Sequence, residues 1–147
     1  MPQTKAFWQA IEKLKLKPVR TQVVVAAECA SGPIAHAIDV VCINSKGDYT
    51  LLEIKSGFTG YLKNCTGFMQ KPLQQLTDCP ENQHQLQLCA SKEMYENTFP
   101  DHNLTTSILL QIEGDKVTMT KEAKWTASVK SWMKIINFNK TSMKQTK

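Results

Sequence analysis

Ile38-Asp39-Val40-Val41-Cys42-Ile43 and Leu51-Leu52-Glu53-Ile54-Lys55, with Lys46-Gly47-Asp48 between them, decide how this chain folds. Both runs are apolar, and a glycine-containing turn parts them, so they read as an antiparallel hairpin. Three ionisable side chains, Asp39, Glu53 and Lys55, fall inside strands that the apolar residues should bury. Buried charge is costly unless it is paired or bound to a metal.

Strand alternation puts Glu53 and Lys55 on one face. A three-residue loop at Lys46-Gly47-Asp48 pairs Ser45 with Tyr49 and sets Asp39 opposite Lys55, diagonal to Glu53 and on its face. A slip of one residue would move Asp39 to the other face. Two carboxylates and a lysine at one point suit metal-assisted phosphodiester hydrolysis. Asp39 and Glu53 offer hard oxygens to Mg²⁺ or Mn²⁺, and Lys55 can orient a water or offset charge on phosphoryl oxygens. The same residues also fit a structural ion cluster on an exposed sheet face.

Asp39 followed by Glu53-x-Lys55 resembles the PD-(D/E)XK nuclease superfamily, in particular its RecB-like branch. The likeness runs over residues 16–111. Its pieces are Leu16-x-Pro18-x-Arg20-Thr21, then Ile34-Ala35-His36-Ala37-Ile38-Asp39, then Glu53-Ile54-Lys55. Pro72-Leu73-x-x-Leu76-x-Asp78 follows, ahead of Leu86-Gln87-Leu88 on a helix. Similar blocks occur in nuclease-like proteins of large DNA viruses and phages. The resemblance implies an α/β fold with a restriction-endonuclease-like core, a central mixed sheet flanked by helices. It implies a Mg²⁺- or Mn²⁺-dependent deoxyribonuclease, in the exonuclease mould, serving replication, recombination or repair. Asp39 and Glu53 would hold the metal, Lys55 would assist the attacking water, and Gln87 would hold that water or a phosphate oxygen.

The chain departs from the RecB-like pattern in three places. Relatives carry Gln-x-x-x-Tyr on the helix. Here the tyrosine position is Ser91 if Gln87 is the motif glutamine, or Cys89 if Gln85 is, with Tyr95 one turn further on. His36 stands where relatives have Gly before the Asp strand, and Gln22 where they often place Glu. These departures keep open an alternative, a catalytically weak nuclease-fold subunit that grips DNA for a helicase or another replication or recombination protein. An RNA nuclease is a third reading, because the metal chemistry does not distinguish sugars.

The 147 residues suit one domain spanning 1–147. A composition of 41% hydrophobic and 21% charged residues is that of a globular protein. No apolar run approaches the ~18 residues of a membrane span. The amphipathic N-terminal segment lacks the apolar core of a signal peptide, so an intracellular location is expected, in the cytoplasm or nucleus of the producing or host cell. A formal charge of +5 suits a polyanionic partner. Lys17, Arg20 and Lys63 are the candidate phosphate contacts, and Phe58 or Tyr61 could stack on a base. A homo-oligomer is compatible with all of this. Five cysteines, an odd number without a Cys-x-x-Cys pair, argue against a disulfide framework and a zinc site and for buried reduced thiols.

Along the chain, a helix is expected over residues 4–15, with Phe7, Ile11 and Leu14 on its apolar face, Trp8 widening that face and Pro18 ending it. A strand follows over residues 22–27 and reaches Glu28, which reads as a strand-end surface residue or a further metal carboxylate. His36 could contact a phosphate or a metal, but under strict alternation it lies on the face opposite Asp39 unless a bulge intervenes, which favours a packed or surface histidine. Residues 81–97 form a long helix introduced by Asp78 and Pro80. Residues 107–112 and 116–120 are strands joined at Glu113-Gly114-Asp115. Trp125, Val129, Trp132, Met133 and Ile136 make a closing helix, ahead of a polar, basic tail over residues 139–147.

Overall fold

The computed structural model describes residues 2–28, 33–57, 60, 64–71 and 73–121. The expected closing helix, the basic tail, Cys29, Phe58, Tyr61, Lys63 and Pro72 lie outside the described residues. The elements run α1 (Pro2–Leu14), β1 (Lys17–Ala27), β2 (Ile34–Ile43), β3 (Tyr49–Ser56), α2 (Pro80–Thr98), β4 (Leu104–Glu113) and β5 (Lys116–Lys121). The strands form one mixed sheet in the order β1-β2-β3-β4-β5. Among the described strands only the β3–β4 pair is parallel, and α2 is its crossover. An α/β sheet flanked by helices is what the sequence predicts.

Among the described residues, each face of the sheet is covered by one helix. Ala10 and Ile11 of α1, with Phe7 and Leu14, cover Val40, Cys42, Leu52, Ile108 and Leu110. Cys89, Ala90, Met94 and Tyr95 of α2 cover Val25, Ile38, Val41 and Leu51. With both faces covered, the central strands read as continuous apolar runs rather than as alternating ones. Trp8 does not widen the buried face of α1. It is 54% exposed and meets Phe7 edge-on at 5.3 Å. Nor does Pro18 end this helix: the chain leaves it at Lys15, which adopts φ +56°. Pro18 belongs to β1, an edge strand, where a missing N–H is tolerated.

The β2–β3 register differs from the expected one. Ile43 pairs with Tyr49 and Val40 with Leu52, so the connection is residues 44–48 rather than three residues. Asn44 dictates this. Its Oδ1 accepts the backbone N–H groups of Lys46 (2.9 Å) and Asp48 (3.0 Å), and Gly47 takes φ +81°. Continued one step, this register sets Asp39 opposite Glu53, not Lys55. The shift is of two residues, so the face assignment of Asp39 is preserved.

A second irregularity lies in the same row of the sheet. Thr21 pairs with Val40 and Val23 with Ile38, but between them Gln22 adopts φ +52°. A left-handed residue inside a strand breaks the alternation of side chains. Val40 accordingly packs toward α1 while Ile38 packs toward α2, although the two would share a face in an unbroken strand.

Candidate active site

The carboxylates meet where β2 and β3 part. The β2–β3 pairing reaches Val40↔Leu52 and goes no further toward Asp39. Beyond that point the Asp39 side chain takes over the role of the ladder, its Oδ2 accepting the Ile54 backbone N–H at 2.8 Å. A carboxylate fixed to backbone in this way has a defined orientation. Glu53, on the next strand, is only 2% exposed.

His36 joins this pair, contrary to the expectation from alternation. Its Nε2 lies 2.7 Å from Glu53 Oε1. The cause is the break at Gln22 and Asp39, which turns the first half of β2 toward the α2 face. The sequence carries the residue but not the break, since nothing local marks Gln22 as left-handed.

Burial pushes the Glu53 carboxyl above its usual value, and the neighbouring Asp39 carboxylate adds to the rise while the His36 hydrogen bond opposes it. The sign for stability follows from linkage. A carboxyl with a raised folded pKa favours the fold fully below its unfolded value, near 4.5, and loses that contribution as pH rises through the folded pKa. Wild-type protein is therefore expected to lose melting temperature relative to Glu53→Gln as pH rises through that window. At pH 7 the variant should melt higher in metal-free buffer. Thermal melts of both proteins at stepped pH check this, and a Glu53→Gln protein that melts lower at pH 7 would refute the account.

Lys55 is half-buried and follows Glu53 on the same face. Two groups missed from sequence surround it. His84, in the first turns of α2, feels the Lys55 charge; burial first, and then that charge, hold its imidazole below the usual value. His84 Nδ1 is buried without a hydrogen-bond partner. Gln111 of β4 pairs with Lys55 across the parallel ladder and is 4% exposed, and neither its Nε2 nor its Oε1 has a partner. Buried amides are normally bonded, so this one stands out. Only the β3–β4 register brings it beside Lys55, and sequence reading had placed it simply in a strand.

Gln87 lies one helical turn after His84 on the same side of α2 and is half-buried. Gln85, the other candidate glutamine, faces the sheet at 6% exposed with Oε1 unpartnered. Ser91, at the motif tyrosine position, is buried with its hydroxyl unpartnered. Tyr95 does not stand in for that tyrosine. It is 2% exposed in a cluster with Tyr49, Phe99 and His102, and its hydroxyl lies 2.7 Å from His102 Nδ1.

Lys17 and Arg20 are exposed on the edge strand β1, opposite Ile43 and Val41. Ile43 pairs with Tyr49, four residues before Glu53, which puts Lys17 about 13 Å back along the strand direction. Glu28 lines a shallow hollow with Ala26, Ala27 and Pro33 at the tip of the β1–β2 hairpin. Among the described residues, no group of three or more His, Cys, Asp or Glu side chains is arranged to hold a metal ion. No helix among them is long and apolar enough to cross a membrane.

No protein-family model matches the chain, and no curated protein matches it. Solved structures do. One is a provisionally assigned exonuclease from Eubacterium rectale, 9% identical, aligned over 95% of this chain and 51% of its own with a TM-score of 0.54. Another is SSO0001, 15% identical over 90% of this chain and 55% of its own, with a TM-score of 0.46. The chain spans about half the length of each. At such identity the first likeness speaks for the fold. The five-stranded mixed sheet with its two helices is an α/β fold matching a nuclease-like core.

Proposed function

We propose that this chain is a metal-dependent DNA nuclease of the PD-(D/E)XK kind, RecB-like in its motif order, that hydrolyses phosphodiester bonds in replication, recombination or repair. The observation that carries the reading is Glu53, almost fully buried beside the Asp39 carboxylate and on the face of Lys55. A fold that only needed stability would not desolvate one carboxylate against another.

The donor set fits Mg²⁺ or Mn²⁺. Such ions keep several waters and take one or two carboxylates rather than a full protein cage, which is what Asp39 and Glu53 provide. When bound, the metal would polarise the scissile phosphate and lower the pKa of water. The rest falls to the chain. Asp39, tied to the Ile54 N–H, orients its remaining oxygen, and Glu53 supplies a desolvated charge. Lys55 Nζ donates to the attacking water or to a phosphoryl oxygen, and Gln87 holds the water or a phosphate oxygen from the helix side. The +5 formal charge favours a polyanionic substrate, with Lys17, Arg20 and Lys63 as phosphate contacts. The Eubacterium rectale structure, an exonuclease by provisional assignment, supports this class of activity.

The test is to incubate the chain with single-stranded, linear duplex and closed circular DNA and with RNA, in Mg²⁺, Mn²⁺ or chelator. Cleavage of DNA that needs metal is expected, with resistance of circles marking an exonuclease. DNA bound but uncut in both metals would replace this reading with that of a DNA-gripping subunit. Preferential cleavage of RNA would change the substrate class.

A further inference from the structure

We infer that Cys65 and Cys79 form a reversible dithiol–disulfide pair, a modification site that fastens the segment before α2 to the start of that helix. This is independent of the nuclease reading.

The backbone sets the two thiols face to face. Thr66 N–H donates to Asp78 O at 2.9 Å, Asp78 N–H donates to Gly67 O at 2.7 Å, and Met69 N–H donates to Leu76 O at 2.9 Å. Phe68 bridges Thr77 in antiparallel sense. Residues 66–69 and 76–78 are therefore a short antiparallel ladder, with a bulge that sets both Thr66 and Gly67 opposite Asp78. One step toward its open end, beside the hydrogen-bonded Thr66 and Asp78, the facing residues are Cys65 and Cys79. Facing residues of an antiparallel pair have Cα atoms about 4.5–5.5 Å apart. That separation lies within the range a disulfide spans.

The surroundings divide the roles. Cys65 is exposed, while Cys79 is buried at 4% as the N-cap residue of α2. Burial acts to raise the Cys79 thiol. The Asn82 backbone N–H, the Cys65 thiol and the Thr77 hydroxyl, 3.9 Å from its sulfur, outweigh burial and hold it below the usual thiol value. The Cys65 thiol is raised, chiefly by its bond to Cys79. Cys42, by contrast, is pushed up to about 12 by burial and is inert. The sequence expectation of buried reduced thiols thus holds for Cys42 and fails for Cys65. No disulfide links Cys42, Cys65, Cys79 or Cys89 in this structure.

The chemistry balances with a small disulfide such as oxidised glutathione as oxidant. The exposed Cys65 thiol loses its proton to solvent and attacks the glutathione disulfide, forming a mixed disulfide and releasing one glutathione thiolate. The Cys79 thiolate then attacks Cys65 Sγ, forms the protein disulfide and expels the second glutathione. The protein loses two electrons and two protons, and the oxidant becomes two glutathione thiols.

The experiment equilibrates the full chain in buffers of stepped oxidised to reduced glutathione, quenches with acid, alkylates remaining thiols and maps peptides without reduction. A Cys65–Cys79 link that reverses with dithiothreitol is expected. It should be lost in Cys65→Ser and in Cys79→Ser and kept in Cys42→Ser. Closing this short loop should raise the melting temperature by about 5–10 °C, a gain absent from both serine variants at positions 65 and 79. Both thiols still alkylated in fully oxidised buffer would overturn the assignment. So would a glutathione adduct that persists on Cys65, or a link from Cys65 to another cysteine.

Discussion

Lys55→Ala is expected to cut metal-dependent DNA cleavage by about 10³-fold, the scale of losing one preorganised charge stabiliser, with DNA affinity changed little. Lys55 is half-buried two residues after Glu53, so its stem is packed and its ammonium is held on the face that the carboxylates occupy. Surface lysines that merely attract DNA would show the opposite split, with weaker binding and an unchanged rate at saturation. Lys55→Arg should not restore activity, because the broader planar guanidinium cannot take the place of a compact ammonium between His84 and Gln111. Single-turnover rates at saturating protein, together with salt-dependent binding curves, separate the two effects. A loss of rate below about tenfold would remove Lys55 from the chemistry.

The second large effect is structural. Tyr95→Ala should lower the unfolding free energy by about 3–5 kcal/mol, the range for emptying a large aromatic site. Tyr95 packs on Tyr49 at 6.4 Å and Phe99 at 4.8 Å between ring centroids, joining the start of β3 to the end of α2. Burial pushes its phenol up to about 12, so it stays neutral at any working pH. Tyr95→Phe removes only the hydrogen bond with His102 and should cost about 1 kcal/mol while leaving cleavage intact. Denaturant melts give both energies. A Tyr95→Phe protein that folds but no longer cuts would return this tyrosine to the catalytic machinery.

What could be read from residues alone follows from the range of the interactions. The helix–sheet layering was legible because apolar runs and breakers are local. Asp39 and Glu53 were placed on one face despite a wrong loop length, because a slip of two residues leaves side-chain parity unchanged. His36 was missed because its position depends on the conformation of Gln22, on a different strand. Gln111 was missed because the β3–β4 register is set by tertiary packing. The Cys65–Cys79 facing pair was hidden for a similar reason: a short ladder with a bridge at Phe68 and Thr77 leaves almost no periodic signal.

The topology also fixes where chain length matters. Among the described strands three of the four pairings are closed by short connections, and Asp39 and Glu53 meet through the one over residues 44–48. The distant closure among them is β3 onto β4, separated by residues 57–103. The entropy of closing a flexible loop grows only logarithmically, by about 0.6 kcal/mol for each doubling of its length. Added sequence in that interval would therefore cost the fold little and leave the meeting of the two carboxylates untouched. A comparable insertion at Asn44 would separate the strands that bring them together.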